Sequence, residues 1–146
     1  MTVAVLAEKP SVARDLAQAL GCTRRQEGAL AGDGYIVTWA LGHLVGLPEP
    51  KAIDPRYRRW RREDLPILPK HWPLAVFPKT RKQFEVVRRV LNDPAVHQVI
   101  CATDAGREGE LIFRSIYAAA GCTKPVLRLW ISSLTPDAIR LGLATL

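Results

Sequence analysis

Apolar residues along this chain follow two spacings. Continuous runs such as Val3-Ala4-Val5-Leu6 and Val99-Ile100-Cys101-Ala102 are short enough for buried strands. Between them, Val12, Ala13, Leu16, Ala17 and Leu20 keep a helical period that ends at Gly21. The pattern predicts strands over 2–7, 35–39, 96–102 and 126–131. It predicts helices from Ser11, which is placed to cap, to Leu20, then over 79–91, 107–120 and from Thr135 onward. Phe84, Val87 and Leu91 form the apolar face of the second helix, and Gly121 stops the third. Strands alternating with helices predict an α/β fold with a mostly parallel central sheet, Rossmann-like in layout, as one domain over 1–146.

Turns punctuate the pattern at Gly32-Asp33-Gly34 and at Gly42-His43. From Pro48 to Pro78 seven prolines interrupt any long element, which predicts an extended excursion over the surface. Leu134-Thr135-Pro136-Asp137 is a strong helix start, with Thr135 as cap, Pro136 in the first helical position and Leu134 placed to staple onto Ile139. Gly142 lies within it and no Asn or Pro follows before Leu146, so this last helix is expected to lead into further domains.

Charge changes the picture locally. The chain carries +7, yet residues 51–90 hold twelve Lys/Arg against four Asp/Glu, a net of +8, which leaves −1 for the remainder. Within that stretch Arg56 to Arg62 place five arginines around Tyr57 and Trp60. Arg58, Arg59, Arg61 and Arg62 can track a phosphate backbone while the aromatics stack on bases. The alternatives are a solvated basic loop or a docking face with Trp60 buried. Trp39, Trp72 and Trp130 are read as core.

Three cysteines, widely spaced and without a C-x-x-C pair, speak against a disulfide framework and against zinc. No run reaches the ~18 apolar residues of a membrane span, and Met1 leads directly into an apolar run. The reading is a soluble protein of a reducing compartment.

The candidate chemistry lies at two strand ends. Glu8 follows the first strand, and Thr103-Asp104-Ala105-Gly106-Arg107-Glu108-Gly109-Glu110 follows the strand at 96–102. If the two strands are parallel neighbours, Glu8 and Asp104 meet at the carboxyl edge, where open α/β sheets keep their sites. Glu108 can turn back over the strand end from the first helical turn. Acids gathered in this way repel unless a cation neutralises them, and oxygen-only donors favour Mg²⁺, or Mn²⁺, over zinc. Lys9 and Arg107 are placed to contact a phosphate, aided by backbone donors at the helix start. Taken singly, Glu108 and Glu110 are also acids favoured at a helix start, Glu8 a solvated loop end, His43 a turn residue, and Ser132 and Ser133 caps.

Glu8-Lys9-Pro10-Ser11, Asp104-Ala105-Gly106-Arg107-Glu108-Gly109-Glu110 and Leu129-Trp130-Ile131-Ser132-Ser133-Leu134-Thr135 together resemble the amino-terminal Toprim domain of type IA DNA topoisomerases, in the topoisomerase III branch. Gly42-His43-Leu44 and Leu65-Pro66 extend the likeness. The resemblance implies a domain that holds Mg²⁺ and the scissile phosphate of single-stranded DNA during ATP-independent cleavage, passage and religation. Glu8 would then be the acid or base near the leaving 3′ oxygen, with Lys9 beside it on the phosphate. Asp104 and Glu108, with Glu8, would be the metal ligands, and His43 would reach the DNA path. It also implies a cytoplasmic, nucleoid-associated setting and downstream domains carrying the tyrosine nucleophile, since Tyr35, Tyr57 and Tyr117 lie in none of the matching motifs. The family motif is usually Asp-x-Asp-x-Glu, and Gly106 stands at its second Asp. Two rivals stay open: a free-standing Toprim nuclease or primase-like enzyme, and a DNA-binding or docking module that ignores divalent ions.

Overall fold

A computed structural model describes residues 1–146. Its elements run β1 (Thr2–Ala7), α1 (Pro10–Ala19), β2 (Arg24–Gln26), β3 (Ala29–Gly32), β4 (Tyr35–Trp39), β5 (Val45–Gly46), α2 (Pro50–Ile53), β6 (Ala75–Val76), α3 (Arg81–Asn92), β7 (Val96–Ala102), α4 (Arg107–Ala119), β8 (Val126–Arg128) and α5 (Pro136–Ala144). Short 3₁₀ turns occupy 55–58, 62–64 and 78–80.

Six strands form one sheet in the order β2-β3-β4-β1-β7-β8. The four from β4 to β8 are mutually parallel, and the β2–β3–β4 meander is antiparallel. The α/β class and the mostly parallel centre are therefore as the sequence predicts. β1 lies centrally, with Ala7 in register with Trp39 of β4 on one side and Ala102 of β7 on the other. Strand period two divides the core. Ala4, Leu6, Val99 and Cys101 face α3 and α4, packing with Phe84, Val87, Leu91, Phe113 and Ile116. Val5, Ala7, Ile100 and Ala102 face α1 and α5, packing with Leu16, Ala17, Leu129 and Ile139. Both sheet faces are thus covered, which is why β1 and β7 carry the apolar runs Val3–Ala7 and Val99–Ala102.

Several local expectations are corrected. Ser11 is not the cap of α1: Lys9 holds the N-cap position with extended backbone and no side-chain cap, and Pro10 opens the helix, its ring fixing φ where no N–H is needed. β8 stops at Arg128 instead of reaching Ile131. The hairpin of β2 and β3 lies where no strand is predicted, because Arg24-Arg25-Gln26 are all exposed and show no alternation. α5 ends at Ala144, where the Thr145 hydroxyl donates to the carbonyls of Leu141 and Gly142. Thr135 does cap it, its Oγ1 accepting from the Ala138 N–H at 3.4 Å.

The proline-rich excursion is a surface feature, as predicted, but it is pinned at its base. β5 pairs antiparallel with β6, and Phe77 N–H donates to the Leu44 carbonyl at 2.9 Å, so the chain leaves and returns at one place. Trp60 projects into solvent, 77% exposed, and is not part of this chain's own core. Trp72 and Trp130, expected in the core, are 59% and 66% exposed; size and hydrophobicity alone do not place an aromatic inside. Trp39 is half-buried against the α1 side of the core.

Candidate functional site

The parallel pairing of β1 with β7 delivers Glu8 and Asp104 to the same edge, one and two residues past the last paired positions, Ala7 and Ala102. Glu8 is buried, its side chain 10% exposed, and its Oε2 accepts the backbone N–H of Asp104 at 3.0 Å. On the other flank the Ala40 N–H donates to the Ala7 carbonyl at 2.8 Å and the Gly42 N–H to the Glu8 carbonyl at 3.4 Å. Gly42 adopts φ +75°, the left-handed conformation that a residue with a Cβ rarely takes, and this turns the chain sharply past Glu8 toward His43.

Lys9 connects the two acids. Its Nζ stands 3.8 Å from Glu8 Oε1 and 3.5 Å from Asp104 Oδ2. An ammonium therefore rests where the fields of both carboxylates add. Glu108 stands apart, 79% exposed in the first turn of α4, with its Oε1 3.5 Å from His43 Nε2. The structure thus brings Glu8, Lys9 and Asp104 together and, beside them, His43 and Glu108. It does not gather three carboxylates onto one point: no group of three or more His, Cys, Asp or Glu side chains is in metal-holding geometry. Arg107 opens α4, exposed and without an acidic partner. Arg58, Arg59, Arg61 and Arg62 are likewise exposed and unpaired with any carboxylate, whereas Arg56 on the same excursion is tied to Asp54. They sit on the excursion and make no contact with the acids.

The acid turn is braced from below. A Cβ on Gly109 would lie 2.1 Å from the Asp104 carbonyl oxygen, so only glycine lets α4 start directly against that peptide. The Thr103 hydroxyl donates to the Gly109 carbonyl at 2.8 Å. Arg128, at the end of β8, reaches under the turn and donates to Thr103 Oγ1 at 2.9 Å and to the Asp104 carbonyl at 2.7 Å. Sequence reasoning missed Arg128, Thr103 and the role of Gly109. The signal for Arg128 was the one that exposed Glu8 and Asp104, a charged residue ending an apolar run, but it lay within a span read as continuous strand. Gly106 is different again. Its backbone is fully extended, and no atom lies within 4 Å of the place a Cβ would take.

Comparison with known proteins identifies the family and the fold. The profile described as "Toprim domain" matches residues 3–134. The chain is 55% identical over 139 residues to a protein named DNA topoisomerase 3 from Shouchella clausii (strain KSM-K16), covering 95% of this chain and 19% of that protein. It is 54% identical over 138 residues to DNA topoisomerase 3 of Bacillus subtilis (strain 168), covering 94% and 19%. The chain therefore spans under a fifth of the length of both relatives. Among solved structures, full-length topoisomerase I from Thermotoga maritima shares the fold with a TM-score of 0.62 at 21% identity, over 97% of this chain and 20% of that one. The likeness read from the acid loop and the strand-end glutamate is borne out across nearly the whole chain: it belongs to the Toprim domain family.

Proposed function

We propose that this chain is the phosphate-handling part of a type IA topoisomerase of the topoisomerase III kind. In this reading it holds the scissile phosphate of single-stranded DNA beside a divalent cation, Mg²⁺ with Mn²⁺ as a substitute, while a tyrosine from downstream domains attacks. The observation that carries it is the Glu8–Lys9–Asp104 contact, in which one cationic nitrogen lies within 4 Å of oxygens from both strand-end carboxylates.

That contact is also the test of fit. The ammonium shows that a cation can stand between these two side chains, and the donors are all carboxylate oxygen, which suits a hard ion. With Glu108 turned to His43 and Gly106 in place of a further acid, two carboxylates would hold the ion and water would complete its shell. Affinity of about millimolar strength follows. A bound Mg²⁺ would supply charge neutralisation at the phosphate.

The chain's own residues take the remaining roles. Glu8, buried beside the site, would act as the acid or base near the leaving 3′ oxygen, holding a proton only while it is not a ligand of the ion. Lys9, once released from the carboxylates, pairs with a non-bridging phosphate oxygen. Glu108 and His43 face the DNA path, with Glu108 free to reach the ion. Arg107 and the unpaired Arg58, Arg59, Arg61 and Arg62 meet the backbone of the strand.

Absence of a nucleophile from this chain is supported by where its tyrosines lie. Tyr35 pairs with Val3 at the opposite end of the sheet, the Tyr57 hydroxyl is bonded to Arg56, and the Tyr117 hydroxyl donates to the Lys124 carbonyl at 2.6 Å. No helix is long and apolar enough to cross a membrane, which suits work at the nucleoid.

Calorimetric titration with Mg²⁺ tests the reading. Heat that saturates in the millimolar range and vanishes in Asp104→Asn supports it. No Mg²⁺-dependent heat in either protein overturns it in favour of a DNA-binding module that ignores divalent ions, a second reading favoured by the lack of a third gathered carboxylate. Cleavage of labelled single strands by this chain alone with Mn²⁺ would instead favour a free-standing nuclease.

A further inference from the structure

Arg128 carries more contacts than any other charged side chain in the molecule, and the reading above gives it no task. Its side chain is 13% exposed, in the space under the acid turn. Nη1 donates to Thr103 Oγ1 at 2.9 Å and toward the Cys101 sulfur at 2.7 Å and carbonyl at 3.4 Å. Nη2 donates to the Asp104 carbonyl at 2.7 Å. Nε faces Glu110 Oε2 at 3.6 Å, and each of these two atoms is buried without a hydrogen-bond partner. The guanidinium also lies 4.7 Å from the centroid of the exposed Trp130 ring.

These contacts have one geometric consequence. The Asp104 backbone is held on both sides: its N–H goes to Glu8 and its C=O to Arg128, while the bare Gly109 lets α4 pack directly against that carbonyl. A planar fork with several fixed N–H directions can grip Cys101, Thr103 and Asp104 at once in this way; an ammonium on a flexible stem cannot. Glu110 steadies the fork in turn, being itself tied to Arg114 at 2.7 Å.

We infer that Arg128 is the positioning residue of the acid site: it touches neither phosphate nor cation but fixes the Asp104 peptide so that Glu8 and Asp104 stay paired. The inference rests on the proposed function only for what the pair does, not for what holds it.

Amide hydrogen exchange on this chain tests the two parts separately. In Arg128→Met, which keeps most of the buried volume, the Asp104 N–H is expected to exchange about tenfold faster, while the amides of Val5 and Leu6 in the neighbouring strand keep their protection. Arg128→Lys, retaining the charge without the fork, is expected to fall between. Mn²⁺ affinity, read by water-proton relaxation, should drop roughly tenfold in Arg128→Met, as is usual when the partner orienting a ligand is removed. Unchanged exchange at Asp104 overturns the inference, and so does faster exchange spread evenly over β1, which marks a merely structural residue. Faster exchange at Asp104 with wild-type Mn²⁺ affinity also overturns it, since the site would not depend on the order of the turn. If wild-type protein does not bind Mn²⁺, the metal reading fails by itself, and the exchange data still decide the role of Arg128.

Discussion

The Glu8 carboxylate accepts the backbone N–H of Asp104 at 3.0 Å across 96 residues of sequence. Two acids that would otherwise repel are thereby joined through a neutral donor, and Lys9 supplies the positive charge. Both relationships follow from β1 and β7 being parallel neighbours. The juxtaposition of the two acids is thus a property of the sheet and not of the loops alone.

Removing the Glu8 side chain should therefore cost stability as well as function. Glu8→Ala removes the carboxylate acceptor of the partly buried Asp104 N–H, a loss of about 1–3 kcal/mol. Glu8→Gln keeps an acceptor oxygen and should unfold close to wild type, while on the proposed function it should lose proton transfer and bind the cation more weakly. Urea unfolding of both variants checks this; equal destabilisation of the two would show that the charge, not the hydrogen bond, holds the turn.

Gly109 is predicted to be intolerant of any side chain. Gly109→Ala places a methyl 2.1 Å from the Asp104 carbonyl oxygen, and backbone on both sides must move to relieve it. Overpacking of this kind costs about 1–3 kcal/mol or more. Because the displaced atom belongs to the acid turn, a fall in melting temperature should accompany changed chemical shifts at Glu8 and Asp104.

What could be read from the sequence divides along physical lines. β1, β4 and β7 were legible because each carries a short, mostly apolar or aromatic and β-branched run at its buried part, and Glu8 and Asp104 were legible because a charge follows such a run. The hairpin at Arg24–Gln26 was not, since an exposed edge strand carries no burial pattern. Trp72 and Trp130 were misread because apolar character was taken as a proxy for burial. Arg128 was hidden for the opposite reason: its burial depends on acceptors contributed by residues 101–110, a tertiary arrangement that spacing along the chain does not encode.

The β2–β3 turn should report its tether to α3 by pH. The hydrogen bond from Lys82, followed by its charge, holds the Glu27 carboxyl below the usual carboxylate range, and Lys82 is pushed up in return. A depressed carboxyl contributes stability above its unfolded value and loses it as pH falls through the folded one. The raised lysine contributes below its unfolded value and loses it as pH rises through the folded one. The tie is therefore intact between those limits and small, both groups being on the surface. In Lys82→Met the Glu27 titration, followed by NMR, should return to the ordinary carboxylate range.

The exposed arginines of the excursion should govern how salt affects DNA binding. Arg58, Arg59, Arg61 and Arg62 have no acidic partners to surrender, so each can meet a phosphate without breaking an ion pair. Each such contact contributes about 0.7 to the slope of log affinity against log salt for a single strand. Changing all four to serine should lower the slope by up to roughly 3. An unaltered slope would put the strand elsewhere, with Arg107 and Lys9 as the remaining cations near the acids.

Gly106 offers the sharpest separation of metal binding from mere folding. Its backbone is extended and accepts any residue, the space around its Cβ position is open, and it occupies the N-cap position of α4 without a side-chain cap. Gly106→Asp therefore introduces a carboxylate at no steric cost. In metal-free protein the new side chain can cap α4, which adds only a few tenths of a kcal/mol over glycine and leaves the melting temperature nearly unchanged. It also adds negative charge beside Asp104, which repels without a cation and ligates with one. Mg²⁺ affinity should then rise by roughly tenfold, a gain of about 1.4 kcal/mol, with the increase lost again in the Asp104→Asn background. An unchanged Mg²⁺ titration in Gly106→Asp, with α4 intact by circular dichroism, would mean that a carboxylate at position 106 does not reach the ion.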